Sequence, residues 1–346
     1  MHYEIINKIQ LRIKVIFKSI AFKIFIFLLA FFLVYLLYKG LIFNQTENNN
    51  PSSFANNSNM YVASVEIPDT VFFAKERVPI EFYDVYESLD REMTVNTYWH
   101  SQTILLLKKA SRFFPVIEPI LKKQRIPDDF KYLVIAESGF ANAVSPAGAS
   151  GFWQFMKATA QKYGLKINDE VDERYNLEKA TAAACKHLKE LYNTYKNWTM
   201  VAAAYNIGGG NLDKIISNQK TSNYYDLYFN EETARYVFRI VALKIIFENP
   251  EKYGFYLPKK QHYPFIPTDI DTIDTLIQDL PQFAIDKGIN YKILKLFNPW
   301  LRKYQLTASK EDPFIIKIPK PKYREMKYLQ QEFRLYDSIS QPIDTM

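Results

Sequence analysis

The chain of 346 residues has a single cysteine, Cys185, so no disulfide can form within it. Cys185 falls in an alanine-rich helical stretch beside Ala184 and Leu188 with no base suggested nearby. It reads as a buried, inert thiol rather than a nucleophile. Histidine is scarce as well, with four in all. His187 stands alone on its helix without a partner at metal-ligand spacing, so neither a metal nor another cofactor is expected. A basic stripe is also missing. The formal charge is +7, but residues 1–45 hold six basic side chains (Lys8, Arg12, Lys14, Lys18, Lys23 and Lys39) against Glu4, which leaves +2 for the remainder. Nucleic acid is therefore not an expected partner.

What the N-terminus does have is apolarity. Ile24 to Tyr38 is an unbroken apolar and aromatic run, extended by Ile20–Phe22 and Leu41–Phe43 to the length a bilayer requires, ~20 residues. Five basic residues precede the core of the run, and after Lys39 none appears before Lys75. That asymmetry predicts a single-pass inner-membrane anchor with a cytoplasmic N-terminus and a periplasmic body. The alternative is a cleaved signal and a secreted protein, although Asn44-Gln45-Thr46-Glu47 supplies no small-residue cleavage pattern. With no cysteine in this region, a lipoprotein anchor is excluded.

The expected organisation follows the composition. Residues 1–43 form a cytoplasmic stub and anchor, and 44–64 a polar tether. Residues 65–256 are a helical domain with its motif-bearing core at 100–255. Residues 257–320 are a small mixed region, and 321–346 a tail. An extended, proline-marked stretch over 65–79 leads into helix after helix. Leu105, Leu106, Phe113 and Ile117 suggest one apolar face. Pro127 suits a first helical position, followed by Asp128 and Asp129, in a helix that stops near Gly139. Further helices are predicted over 177–195, from Thr199 to the Gly208–Gly210 break, and from an Asn230 N-cap to Pro250. The compact pattern that begins at Asp274 orders as strand, helix (281–286), helix (291–297) and strand (314–319). It resembles a divergent LysM glycan-binding module, though the usual glycine near Asp274-Thr275 is absent. A capping region on the main domain fits the same pattern.

The residue with the most chemical content is Glu137, at the end of an apolar helix with Leu133, Val134 and Phe140 within one turn. Desolvation raises a carboxyl's proton affinity, as does the unfavourable end of a helix dipole. Breaking a glycosidic bond near neutral pH needs such an acid. On chemistry alone, a solvent-facing helix residue and a catalytic acid both remain open.

The surrounding motifs carry a resemblance. Glu137-Ser138, then Ser145-Pro146-Ala147-Gly148-Ala149-Ser150-Gly151-Phe152-Trp153-Gln154-Phe155-Met156, then Ala203-Ala204-Tyr205-Asn206-Ile207-Gly208-Gly209-Gly210 and Glu232-Thr233-Ala234-Arg235-Tyr236-Val237 resemble, in order, the catalytic domain of the soluble lytic transglycosylases, and within them the membrane-bound type D murein enzymes. Phe152 departs from the usual leucine, methionine or isoleucine, and Lys157 from the usual proline. The resemblance implies a mainly α, lysozyme-like helical domain of the goose-type kind acting on peptidoglycan glycan strands. It implies cleavage of the β-1,4 bond between N-acetylmuramic acid and N-acetylglucosamine without water, giving 1,6-anhydromuramyl products, with Glu137 as the single acid and base. It assigns substrate hydrogen bonds to Ser145, Gln154 and Asn206, a bond to Glu137 or the anomeric region to Tyr205, and support of the cleft to Glu232. Phe152, Trp153 and Tyr236 are candidates for flat faces against sugar rings, although Trp153 reads more simply as core. Two other readings are a hydrolytic muramidase, with Asp169 or Asp172 holding water, and a non-catalytic glycan-binding scaffold. Asp172, Glu173 and Arg174 read as a charged turn with a structural ion pair.

Overall fold

The computed structural model describes residues 62–331 together with Phe32 and Tyr35. The expected anchor lies outside the described residues except for those two positions, as does most of the expected tether and the end of the tail. Among the described residues no helix is long and apolar enough to cross a membrane.

The body opens with a hairpin, β1 (Val71–Phe73) and β2 (Glu76–Val78), within the stretch read as extended. Its turn places Ala74 and Lys75 at positive φ. The Glu76 carboxylate then accepts from the backbone N–H groups of Trp198 (2.6 Å) and Thr199 (2.9 Å). The hairpin thereby satisfies donors that a helix N-terminus leaves unpaired.

Eight helices follow in the body: α1 (Tyr83–Tyr98), α2 (His100–Lys123), α3 (Phe130–Ser138), α4 (Lys157–Lys162), α5 (Leu177–Tyr195), α6 (Trp198–Ile207), α7 (Gly209–Gln219) and α8 (Glu231–Glu248). In α2, Leu106 and Ile117 are buried and Phe113 packs against the core, as expected, while Leu105 is 42% exposed and lies off that face. Pro115 and Pro119 lie inside α2 on its exposed side. Pro127 precedes α3 by one tight turn, in which its carbonyl accepts from the N–H of Phe130. Central to the body is α6, where Thr199 to Ala204 are all buried. Its three consecutive alanines let α5, α7 and α8 approach closely. Asparagine side chains cap α5, α6 and α8: Asn176, Asn197 and Asn230 accept from the backbone N–H three residues on. Each such cap is worth about 1 kcal/mol.

After the body comes a small unit of β3 (Thr268–Ile273), α9 (Leu280–Asp286), α10 (Tyr291–Phe297) and β4 (Phe314–Pro319). The two strands pair antiparallel from Thr268–Pro319 to Ile273–Phe314, so the first strand lies ahead of the Asp274 start of the predicted pattern. Buried Asn298 substitutes for a strand neighbour, accepting from Lys317 N–H and donating to its carbonyl (2.9 and 2.8 Å). The unit's apolar core of Leu280, Leu294, Trp300, Leu301 and Ile316 includes Val171 and Tyr175 from the body.

Candidate active site

Glu137 occupies the last turn of α3, a helix in which Phe130 and Tyr132 to Ile135 are buried. Gly139 (φ 57) ends the helix in the left-handed conformation and Phe140 repeats it (φ 57). The chain reverses there, and the Phe140 ring packs on Phe113 and Phe114 of α2, at 5.4 and 5.6 Å. Glu137 instead faces α8, where the buried Tyr236 donates its hydroxyl hydrogen bond to Oε1.

Burial is the main influence on this carboxyl and pushes its pKa up to about 7. The negative charge of Glu232, one helical turn before Tyr236, adds to the rise, whereas the Tyr236 hydrogen bond and the charge of Arg239 oppose it. Burial keeps Tyr205 and Tyr236 well above the ordinary tyrosine range, so both remain donors. Near neutral pH, Glu137 can therefore both release and accept a proton. Because Tyr236 favours the charged form, Tyr236→Phe should raise the Glu137 titration midpoint by roughly one pH unit. A carboxyl-carbon NMR titration of wild type and variant checks this, and an unchanged or lower midpoint contradicts it.

The loop that follows in the chain is tightly braced. Ser145 Oγ accepts from Ala149 N–H at 3.0 Å. Gln154, at φ 45, donates from Nε2 to the carbonyl of Gly151 at 2.7 Å. Arg174, paired with Asp172 at 2.7 Å, donates to the carbonyls of Gly148 (2.9 Å) and Phe155 (3.1 Å). The expected ion pair in the charged turn is thus present, and it clamps the loop. Asp172 has both oxygens on Arg174, while Asp169 is exposed.

The two tyrosines differ from their expected contacts. Tyr205, at the end of α6, donates to the carbonyl of Trp153 at 2.8 Å, and the hydroxyl on Glu137 belongs to Tyr236. Tyr236 is 3% exposed, so its ring is part of the core rather than an open face. Asn206 Oδ1 accepts from the Thr233 hydroxyl at 2.9 Å, joining α6 to the start of α8. Glu232 is exposed on that same turn. Trp153 is fully buried with its indole N–H on Thr181. Phe152 packs edge-on against Phe113 at 4.8 Å and lines a cavity of about 910 Å³ between the body and the small unit. Glu137 is not among the residues lining that cavity. His187 is packed between Tyr163 and Tyr205, where burial pulls its pKa down to about 4. Burial pushes the Cys185 thiol up to about 12.

One group escaped the sequence reading. Glu92 of α1 is 1% exposed and meets Arg235 and Arg239 of α8. Two arginines one turn apart on a largely apolar helix were the available signal, since cations set beside a packed core call for a counter-charge.

Residues 115–228 match the family described as Transglycosylase SLT domain. Residues 270–322 match the one described as Soluble lytic transglycosylase C-terminal LysM-like domain. The membrane-bound lytic murein transglycosylases D of Escherichia coli strains K12 and O6:H1 are each 28% identical over 247 residues, 68% of this chain and 52% of theirs. The chain spans about half the length of these curated relatives. Among solved structures, the 70 kDa soluble lytic transglycosylase of Escherichia coli is 17% identical with a TM-score of 0.37, covering 55% of this chain and 39% of that one. The first match contains α3 and the clamped loop, and the second overlies the strand–helix–helix–strand unit: the chain carries a transglycosylase SLT domain followed by a LysM-like domain of the soluble lytic transglycosylase type.

Proposed function

We propose that the chain is a peptidoglycan lytic transglycosylase in which Glu137 is the only acid and base. The observation that carries this reading is a carboxyl with its pKa raised to about 7, fixed by a buried tyrosine, within the span that matches the SLT domain. Protonated Glu137 gives its proton to the glycosidic oxygen as the bond from that oxygen to the muramyl anomeric carbon breaks. The substrate's N-acetyl oxygen closes on the anomeric carbon and holds the positive charge. The Glu137 carboxylate then takes the proton of the muramyl 6-hydroxyl, whose oxygen displaces the acetamido oxygen. The products are a 1,6-anhydro end and a free 4-hydroxyl, Glu137 is again protonated, and no water is consumed. Glu232 supports this cycle by favouring the protonated acid. Ser145, Gln154, Phe152 and Asn206 belong to the frame that shapes the cleft, with sugar contacts at their remaining polar and apolar surfaces. Engagement of Asp172 by Arg174 removes one of the two candidate water-holding acids and favours internal attack over hydrolysis.

The LysM-like unit would hold the glycan strand, and the N-terminal apolar run would keep the enzyme at the inner membrane facing the periplasm. Mass spectrometry of muropeptides released from purified peptidoglycan tests the reaction. Anhydro products, lighter by one water than hydrolytic ones, are expected. Reducing muramyl ends indicate a hydrolase, and binding without any release indicates a scaffold.

A further inference from the structure

The Glu92 cluster lies outside the proposed chemistry yet touches the helix that frames it. Glu92 is a carboxylate taken almost completely out of water, which is unfavourable without compensating charge. Arg235 Nε donates to its Oε1 at 2.6 Å, and Arg91 lies 3.8 Å from the same oxygen. Its Oε2 is 3.6 Å from Arg239 Nε and accepts no hydrogen bond among the described residues. Glu231 shares Arg91 and Arg235 at 3.2 and 3.5 Å. The hydroxyl of Tyr224 also feels the Glu92 charge.

Arg235, Tyr236 and Arg239 sit within five residues of α8, so the helix that presents the phenol to Glu137 also carries the two cations held by Glu92. The groups acting on Glu137 are the Tyr236 hydroxyl and the charges of Glu232 and Arg239, all from α8. Tyr205 of α6 feels the Glu137 charge in turn. Arg239 thus influences two carboxylates by charge but lies within ion-pair distance of Glu92.

We propose that Glu92 is a positioning residue that retains Arg239, so that Arg239 acts on Glu137 through its field without forming an ion pair with it. Without this anchor, a guanidinium on a long side chain, one turn along α8 from the tyrosine that bonds Glu137, is free to close on the Glu137 carboxylate. A direct pair lowers a carboxyl's pKa by about 1–3 units. Glu137 would then be ionised at neutral pH and unable to donate.

The inference rests on Glu137 being the acid, but its test does not require turnover. Carboxyl-carbon NMR reads the Glu137 midpoint in wild type, Glu92→Gln, Glu92→Asp, Arg239→Gln and the Glu92→Gln/Arg239→Gln double variant. Glu92→Gln should lower the midpoint by about one unit or more. Glu92→Asp, which keeps the charge, should stay closer to wild type. Arg239→Gln should raise the midpoint, and the double variant should match Arg239→Gln. The alkaline limb of the cleavage profile should move with each midpoint, while KM changes little. An unmoved midpoint in folded Glu92→Gln overturns the proposal. So does a double variant in which Glu92→Gln still lowers the midpoint, because the effect would not pass through Arg239. If Glu92→Gln does not fold, an Arg239→Gln midpoint at or below wild type overturns it equally. A protein that shows all these shifts but cleaves nothing upholds the positioning role and removes the proposed reaction.

Discussion

Replacing Glu137 with glutamine is expected to reduce glycan-strand cleavage on the order of a thousandfold or more, while making the folded protein more stable above pH 7. The first effect follows from removing the only group proposed to carry the proton in either direction. The second follows from burial. Folding raises the pKa of this carboxyl from 4.5 to about 7. Below 4.5 the group is protonated in folded and unfolded chains alike, and its ionisation does not affect stability. Between 4.5 and 7 the unfolded chain loses its proton first, so the wild type weakens as pH rises. Above 7 the full penalty is present, about 3 kcal/mol at roughly 1.4 kcal/mol per unit. Glu137 is only half-buried, and its contact with solvent reduces this to on the order of 2 kcal/mol. Glutamine keeps an acceptor for Tyr236 and escapes the penalty. Urea denaturation at pH 4 and pH 8, with cleavage assays on the same samples, reads both effects. Retained cleavage removes Glu137 from the reaction, and a stability gain no larger at pH 8 than at pH 4 contradicts the buried-acid description.

Gly151→Ala should be the most damaging single substitution in the loop. A Cβ at this position would sit 2.0 Å from the carbonyl oxygen of Arg174, which is backbone and cannot rotate away. The residue also holds φ at 77, a conformation that costs an alanine about 1 kcal/mol by itself. Relieving the overlap must separate the loop from the Asp172–Arg174 turn and break the Arg174 bonds to Gly148 and Phe155. A loss of at least about 3 kcal/mol is expected, or roughly 6–12 °C in Tm. Gly148→Ala is the matched control, since its φ is 87 but a Cβ there meets nothing within 4 Å. It should lose only about 1 kcal/mol. Melting curves that place the two variants together would show that the clamp is not rigid.

Parts of this architecture were legible because they are decided locally. Asn230 at the start of α8 is determined by its own side chain and the N–H of Thr233. Gly139 marks the end of α3 because only a residue tolerant of left-handed φ suits that position. Trp153 and Cys185 were readable as core from the alanine-rich and aromatic sequence around them.

Features set by packing between distant segments were not readable. Which tyrosine meets Glu137 depends on how α3 and α8 lie together, across 99 positions of sequence, and the contact is made by Tyr236 while Tyr205 bonds the Trp153 carbonyl. Glu92 sits in a helix with several charged residues, and the arginine that explains its burial is 143 residues away. At the three glycines, the expected break is a single residue: Gly208 takes φ 85 while Gly209 and Gly210 begin α7. One residue of rotation, about 100° around a helix, similarly separates the exposed Leu105 from the buried Leu106.

Val171 and Tyr175 belong to the SLT-matched span, yet their side chains complete the apolar core of the small C-terminal unit. The Val171 backbone bridges Leu301, and the carboxylate of Glu170 holds the N–H of Thr307 at 2.8 Å. The border in space therefore lies about eighty residues upstream of the border in sequence. A truncation ending at residue 256 would leave Val171 and Tyr175 as an uncovered apolar scar. The excised piece, in turn, would begin life with a hole where they belong. Neither half can be exchanged as a cassette unless the 166–176 turn travels with the C-terminal unit, and taking that turn would dismantle the clamp on the loop.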